Sequence, residues 1–284
     1  MEVRALPEYS NIPTRIWDSH VHLFPEKMMG AVYAYFERNY LFSLPYTTCP
    51  ETLLNILIKS GTEKAFILVY AHKPGIARNL NNWLYNFCLE NPRLTPFGAI
   101  HPGDSDPLAL AEECLDRYGF PGIKLHCLVQ KHPPDDKRLF PVYRAIEKRG
   151  KAVIIHASTF PQQLEGCLGS ARIKNLLEHF PKLNLIIPHL GLNELEEYRI
   201  MLEEYKGLYM DTSFVFQNQG FIPPLEEIKS VITDYPNRFF YGSDFPFIME
   251  PPQNGIERIL ELGLPDDILD RLFYKNAEEF LQQK

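Results

Sequence analysis

The sequence predicts an α/β fold, a single (β/α)₈ barrel taking up residues 1–284. Three observations predict it. Eight apolar, β-rich runs recur along the chain. Amphipathic stretches with helical spacing separate them. After the first run, the starts are spaced by roughly 30 residues, the size of a βαβ unit. An open doubly wound sheet is the competing architecture. It would show GxGxxG after the first strand or a Walker A loop, and neither occurs.

The first run is Ile16–Phe24 (IWDSHVHLF). An extra amphipathic piece, Glu26–Tyr40, rich in Tyr, Phe and Met, follows it and is either a lid or a packed extra helix. Thr48 is placed to cap a helix over Pro50–Ser60, with Gly61 as its stop. The second run is Lys64–Ala71, with a helix over Ile76–Asn91. The third is Leu94–His101, with Asp106 capping Pro107–Tyr118 and Gly119 ending it. Gly122–Cys127 precedes a helix over Leu139–Arg149, and Lys151–Ser158 precedes Ser170–Phe180. Leu183–Gly191 precedes Asn193–Lys206, and Leu208–Phe214 precedes Pro224–Tyr235. The last run, Arg238–Phe247, leads into helical stretches over Gly255–Leu262 and Asp266–Gln282. Several runs are almost continuously apolar, as parallel strands buried on both faces should be.

Composition excludes several functions. Apolar residues are 45% and charged residues 23%, a soluble globular balance that can bury a sizeable core. Net charge is −7, from 29 basic and 36 acidic residues, which argues against nucleic-acid partners. No stretch approaches a membrane span, and MEVRALPEYSNIPTR lacks a signal-peptide run. Cys49, Cys88, Cys114, Cys127 and Cys167 form no CxxC pair. Reduced thiols and a cytoplasmic location are therefore expected.

The polar residues fall where such a barrel carries its chemistry, at the C-terminal strand ends. Strand one ends Asp18-Ser19-His20-Val21-His22. Period-2 alternation puts His20 and His22 on one face, with Asp18 one step below. Strand five ends at His156, strand six at His189 and strand eight at Asp244, while strand four carries Lys124 and His126 on one face. Burying such groups unpaired is costly, so packing alone does not explain them. HxH by itself is weak, since nine histidines supply about 0.3 such pairs by chance. The ordered set is far more specific. The bland alternatives are backbone-bonded histidines at strand ends, a capping role for His189 through Gly191, and a turn role for Asp244. His72 and His101 read as loop caps, and His132 and His179 as surface residues. Asp18 should hold a ligand or a neighbouring loop, Asp211 should make a barrel-interior hydrogen bond, and Asn276 should bond backbone at the start of the last helix.

In the segments DSHVHLFP, GIKLHCLVQ, VIIHAS, KLNLIIPHLG, LYMDTS, FFYGSDFP and YKNAEEFL the chain resembles the amidohydrolase superfamily, in its amidohydrolase-2 branch. That branch also holds the aminocarboxymuconate-semialdehyde decarboxylase-like enzymes. The resemblance implies one divalent metal, zinc with manganese or iron as alternatives, bound by His20, His22, His156 and Asp244. It further implies that His189 polarises the substrate carbonyl and that Asp244 takes the proton from water. Some superfamily members carry a carbamylated strand-four lysine between two metals, whereas this branch usually has one metal. Lys124 is therefore read as a partner of a substrate carboxylate or of an inward carboxylate such as Asp244. His126 either lines the substrate site or packs as a buried polar residue. The expected activity is hydrolysis of a small lactone, ester or amide. Nonoxidative decarboxylation of an aromatic or unsaturated carboxylic acid is the alternative, and a non-catalytic ligand-binding barrel the third reading. The expected partner is a small molecule, with no nucleic acid and no membrane, and the family tends to form homodimers.

Overall fold

Continuous β-branched and aromatic runs have two buried faces, and the fold supplies both. A computed structural model describes residues 13, 15–40, 43–158, 167–216 and 223–282. Most of the N-terminal segment discussed above (residues 1–12 and 14) lies outside the described residues. Eight strands pair in parallel and in sequence order: β1 (Trp17–Val21), β2 (Lys64–Leu68), β3 (Leu94–Ala99), β4 (Gly122–His126), β5 (Ala152–His156), β6 (Asn184–Ile187), β7 (Leu208–Asp211) and β8 (Phe239–Phe240). The ring is closed by backbone bonds from Ser19 N to Tyr241 O (2.8 Å), Asp244 N to His20 O (2.9 Å) and His22 N to Phe245 O (2.8 Å). Between the strands run the helices: α1 (Glu26–Tyr40), α2 (Pro50–Lys59), α3 (Ala77–Glu90), α4 (Pro107–Glu112), α5 (Cys127–Gln130) and α6 (Phe140–Lys148). The later ones are α7 (Ser170–His179), α8 (Leu195–Glu204), α9 (Leu225–Asp234), α10 (Pro252–Glu261), α11 (Asp266–Asp270) and α12 (Asn276–Gln282). None among the described residues is long and apolar enough to cross a membrane.

Alternation along the strands divides the core in two. Inward residues such as Trp17, Phe66, Phe97, Ile154, Tyr209 and Phe240 fill the barrel, and Phe280 of α12 plugs it from below. Outward residues such as Val21, Ile123, Ile155 and Met210 pack under the helices. Continued upward, the inward rows end in polar groups: Lys124 and His126 on β4, His156 above Ile154, and Asp211 above Tyr209. The polar rim is thus an extension of the same pleat that builds the core.

Several expected boundaries shift. Asp106 caps α4 by accepting from Ala109 N at 2.9 Å, with Pro107 in the first turn. The helix then loosens into a π-type turn over Glu113–Arg117. The cap of α2 is Cys49 rather than Thr48, because the Thr47 hydroxyl accepts from Cys49 N and already turns the chain. β6 stops at Ile187, since His189 (φ 60°) and Leu190 (φ 50°) adopt left-handed backbone. β8 keeps two residues, and Asp244 beyond it is also left-handed (φ 69°). His132 is buried rather than on the surface, its Nδ1 donating to Pro133 O at 2.8 Å. Asn276 does bond backbone, but that of β8 and its approach, through Phe239 O and Pro236 O.

One close approach tests this geometry. A Cβ on Gly122 would lie 2.3 Å from the carbonyl oxygen of Ala152 on β5, a rigid backbone atom. Gly122→Ala should therefore destabilise the protein by about 1–3 kcal/mol. Urea unfolding should show a lower midpoint at unchanged slope; an unchanged midpoint would contradict the tight β4–β5 packing.

Candidate metal centre

The rim groups converge through a break in alternation. The β1–β2 register slips between Asp18 and Val21. Trp17 faces inward and Val21 outward, so the slip re-aims the residues between them, and His20 and His22 both enter the barrel. Asp18 consequently does not continue their row. Its Oδ1 accepts from His20 N (3.0 Å) and Ser243 N (2.9 Å), clasping β1 to the segment that carries Asp244. Burial pushes its carboxyl up to about 7. Gly242 makes the approach possible, since a Cβ there would lie 2.9 Å from His20 Cβ.

Three donor atoms meet at this point. His20 Nε2 and His22 Nε2 are 3.2 Å apart, and Asp244 Oδ1 lies 3.5 and 3.3 Å from them. Their protonation follows from the partners behind them. His22 Nδ1 lies 2.7 Å from Leu68 O, and His20 Nδ1 lies 2.8 Å from Asp211 Oδ2. A carbonyl and a carboxylate only accept, so both rings donate from Nδ1, and a ring that carries this one proton presents a bare Nε2 lone pair. Burial, with the Lys124 charge, holds His20 well below the usual imidazole pKa, so it stays neutral. Two lone pairs and a carboxylate oxygen at such separations repel one another unless a cation lies between them. Bonds of about 2.0–2.2 Å to a tetrahedral ion place its ligands about 3.3–3.6 Å apart. The donor set and its spacing therefore fit a divalent metal.

His189 is in reach of the same point. Its ring, one from His20 and the Asp244 carboxylate offer atoms within 4.8 Å of one another. His189 Nδ1 donates to Ser213 O (3.0 Å) and lies 2.9 Å from Ser213 Oγ, while Nε2 faces His156 Nδ1 at 2.9 Å. In that tautomer the neutral ring can take a proton on Nε2 but cannot give one. Polarising a carbonyl thus requires the ring to be protonated first. His156 meets the centre through His189, and its ring stacks on His126 with centroids 4.0 Å apart. Lys124 is fully buried with Nζ 3.4 Å from His20 Nε2, and burial lowers its pKa to about 8 against the pull of Asp211 and Asp244.

The surroundings are aromatic and tied down. His22 stacks on Phe247 (4.9 Å) and meets Tyr70 edge-on (5.6 Å); Phe36 of α1 stacks on Phe247 in turn (5.2 Å). The extra helix therefore reaches the centre through one aromatic stack. Two residues escaped the sequence reading of the site. Gln130 ties three loops together, accepting from His126 N and donating to Ala71 O and Ile100 O. Asp211 holds His20 and also accepts from His189 N at 3.1 Å. Alternation from Tyr209 could have found it, since it places Asp211 on the inward face. His101 caps its loop by accepting from Gly103 N, as expected.

A family model described as amidohydrolase matches residues 17–283. No curated protein matches the chain. Among solved structures, an uncharacterised TIM-barrel protein from Bordetella bronchiseptica aligns at 19% identity and TM-score 0.74, covering 95% of this chain and 99% of that one. A 5-carboxyvanillate decarboxylase from Novosphingobium aromaticivorans, complexed with manganese and a nitrobenzoic acid, aligns at 15% identity and TM-score 0.70, covering 94% and 96%. A 2,6-dihydroxybenzoate decarboxylase from Rhizobium aligns at 16% and 0.68, covering 94% and 98%. At these identities the likeness shows the fold.

The donor geometry gives a direct expectation. Purified protein should carry or take up about one equivalent of divalent metal per chain, and chelation should lower its melting temperature. His22→Ala should weaken binding at least 100-fold, read by competition with a chromophoric chelator. Undiminished binding in that variant would refute the centre.

Proposed function

The chain belongs to the amidohydrolase family whose model spans residues 17–283, and from that premise we propose that it is a metal-dependent hydrolase of a small lactone, ester or amide. The observation that carries this reading is Asp244. Its Oδ1 stands beside both bare imidazole nitrogens, and its side chain is 12% exposed, against 1% and 4% for His20 and His22. It is the member of the triad that incoming water and substrate meet.

In this proposal His20, His22 and Asp244 hold the ion; the expected fourth ligand, His156, faces His189 Nε2 with its Nδ1 at 2.9 Å and Ser158 Oγ with its Nε2 at 3.2 Å, and would have to turn to join them. Imidazole nitrogen and carboxylate oxygen suit zinc, and manganese or iron accept the same donors. When bound, the metal supplies Lewis-acid polarisation and lowers the pKa of water. Asp244 accepts the proton of the attacking water and returns it to the leaving group. His189 Nε2 takes a proton, and once charged it donates to an oxygen that develops negative charge. Its Nδ1–H stays fixed on Ser213. Lys124 offers a buried ammonium to a substrate carboxylate, and His126, stacked on His156, lines the approach.

A second reading, decarboxylation of an aromatic or unsaturated acid, rests on a different observation. Phe247, Phe24 and Tyr70 surround His22 with ring centroids 4.9–6.2 Å away, a wall suited to a planar ring. The ammonium of Lys124 lies 3.4 Å from Nε2 of His20, the partner of His22 in the donor set. The two decarboxylases described above share this fold.

A panel of lactones, esters, amides and aromatic acids, assayed on metal-loaded protein with carbon dioxide detection, separates the readings. Hydrolysis without carbon dioxide release is the expected result. Asp244→Asn should lower kcat about 10²–10⁴-fold. Carbon dioxide as the product, or an Asp244→Asn variant within tenfold of wild type, would overturn the hydrolase assignment.

A further inference from the structure

The proposed reaction leaves Asp211 without a part, yet among the described residues no other barrel carboxylate is bound as it is. It is fully buried at the end of β7. Its two oxygens serve different strands. Oδ2 takes the Nδ1–H of His20 at 2.8 Å. Oδ1 takes His189 N at 3.1 Å, Ser213 N at 3.0 Å and the Ser213 hydroxyl. That hydroxyl lies against His189 Nδ1 at 2.9 Å. The His189 backbone is left-handed, a conformation that non-glycine residues rarely adopt, so the bond to its N–H helps hold a turn the chain would otherwise leave.

We propose that Asp211 is a positioning residue for the metal centre: one carboxylate sets the tautomer that makes His20 a ligand and holds the backbone turn that presents His189. The proposal rests on the reading of His20 as a metal ligand. Its physical basis is general. A ligating imidazole must keep its second nitrogen protonated, and an accept-only partner behind it enforces this. His22 uses a backbone carbonyl for the purpose, which no substitution removes. His20 depends on a side chain.

The arrangement makes asparagine a sharp probe, because it has the shape of aspartate but not two acceptors. With its oxygen in the place of Oδ1, its amide group faces His20 Nδ1. A bond then requires His20 to shift its proton to Nε2, the ligating atom. With the amide reversed, NH₂ faces the backbone N–H groups of His189 and Ser213, which only donate, and keeps only the Ser213 hydroxyl as an acceptor. Ser213→Ala differs in kind. It removes the hydroxyl between Asp211 and His189 and leaves the Asp211–His20 pair in place.

The test measures zinc and manganese affinity of wild type, Asp211→Asn and Ser213→Ala by competition with a chromophoric chelator, with circular dichroism on each. Imidazole nitrogen spectra of metal-free wild type report which His20 nitrogen carries the proton. Expected are a wild-type His20 protonated on Nδ1, binding about 10–100-fold weaker in Asp211→Asn, and binding within threefold of wild type in Ser213→Ala. Equal affinity in Asp211→Asn and wild type would overturn the proposal. So would an equal loss in both variants, which would mark a general loosening of β7, or a wild-type His20 protonated on Nε2. If Asp211→Asn fails to fold, the wild-type spectrum decides. A wild type that binds neither metal refutes the metal-centre reading and leaves the spectrum to judge the hold of Asp211 on His20.

Discussion

Two imidazole nitrogens without protons face each other across 3.2 Å at the mouth of the barrel, with a carboxylate oxygen against both. A folded protein does not assemble like-signed lone pairs in a buried place without compensating positive charge; the Lys124 ammonium, 3.4 Å from His20 Nε2, supplies part of it, and a divalent ion would supply the rest. That constraint organises the surrounding structure. The rings keep this orientation only because accept-only atoms stand behind them, the Leu68 carbonyl for His22 and the Asp211 carboxylate for His20. Each partner comes from a different strand, β2 and β7, so the donor set depends on the ring of strands being closed around it.

Closure is itself a matter of close approach. Asp18 reaches from β1 to Ser243, Gly242 has no Cβ to hold His20 away, and Asp244 N bonds His20 O. Across the barrel, Gln130 gathers the loops after β2, β3 and β4. Below, the aromatic interior capped by Phe280 sets the strand spacing on which these contacts depend. The slip in β1 connects the two levels. It lets Trp17 fill the interior while His20 and His22, a few residues later, face the same way.

Much of this was legible in the sequence. Apolar runs at regular spacing marked the eight strands, because strands buried on both faces leave that pattern. The rim was legible in His20, His22, His156, His189 and Asp244, since polar residues at the ends of apolar runs need a reason. Three features were not. The β1 slip carries no composition signal, because alternation looks unbroken through Asp18, His20 and His22. The left-handed backbone at His189 and Asp244 ends β6 and β8 early, and apolar flanks such as Leu190 and Phe245 hide it. Asp211 read as an ordinary interior hydrogen bond because its importance lies in its partners, on β1 and in the turn after β6. Those pairings exist only in three dimensions.

The charges at the centre explain why two reactions remain chemically adjacent. The groups touching it are the carboxylates of Asp211 and Asp244 and the ammonium of Lys124, whose pKa of about 8 keeps it mostly charged at neutral pH. The imidazoles add nothing while neutral. Two negative charges and one positive leave about one unit of negative charge, which a divalent ion turns into about one unit of positive charge. Such a centre is complementary to a single anion. A hydroxide poised for attack and the carboxylate of an aromatic acid both meet that requirement. Electrostatics alone therefore selects the charge of the occupant and not the reaction. The choice falls to shape: whether the wall of Phe24, Tyr70 and Phe247 seats a planar ring against His22, or leaves Asp244 open to water beside a carbonyl.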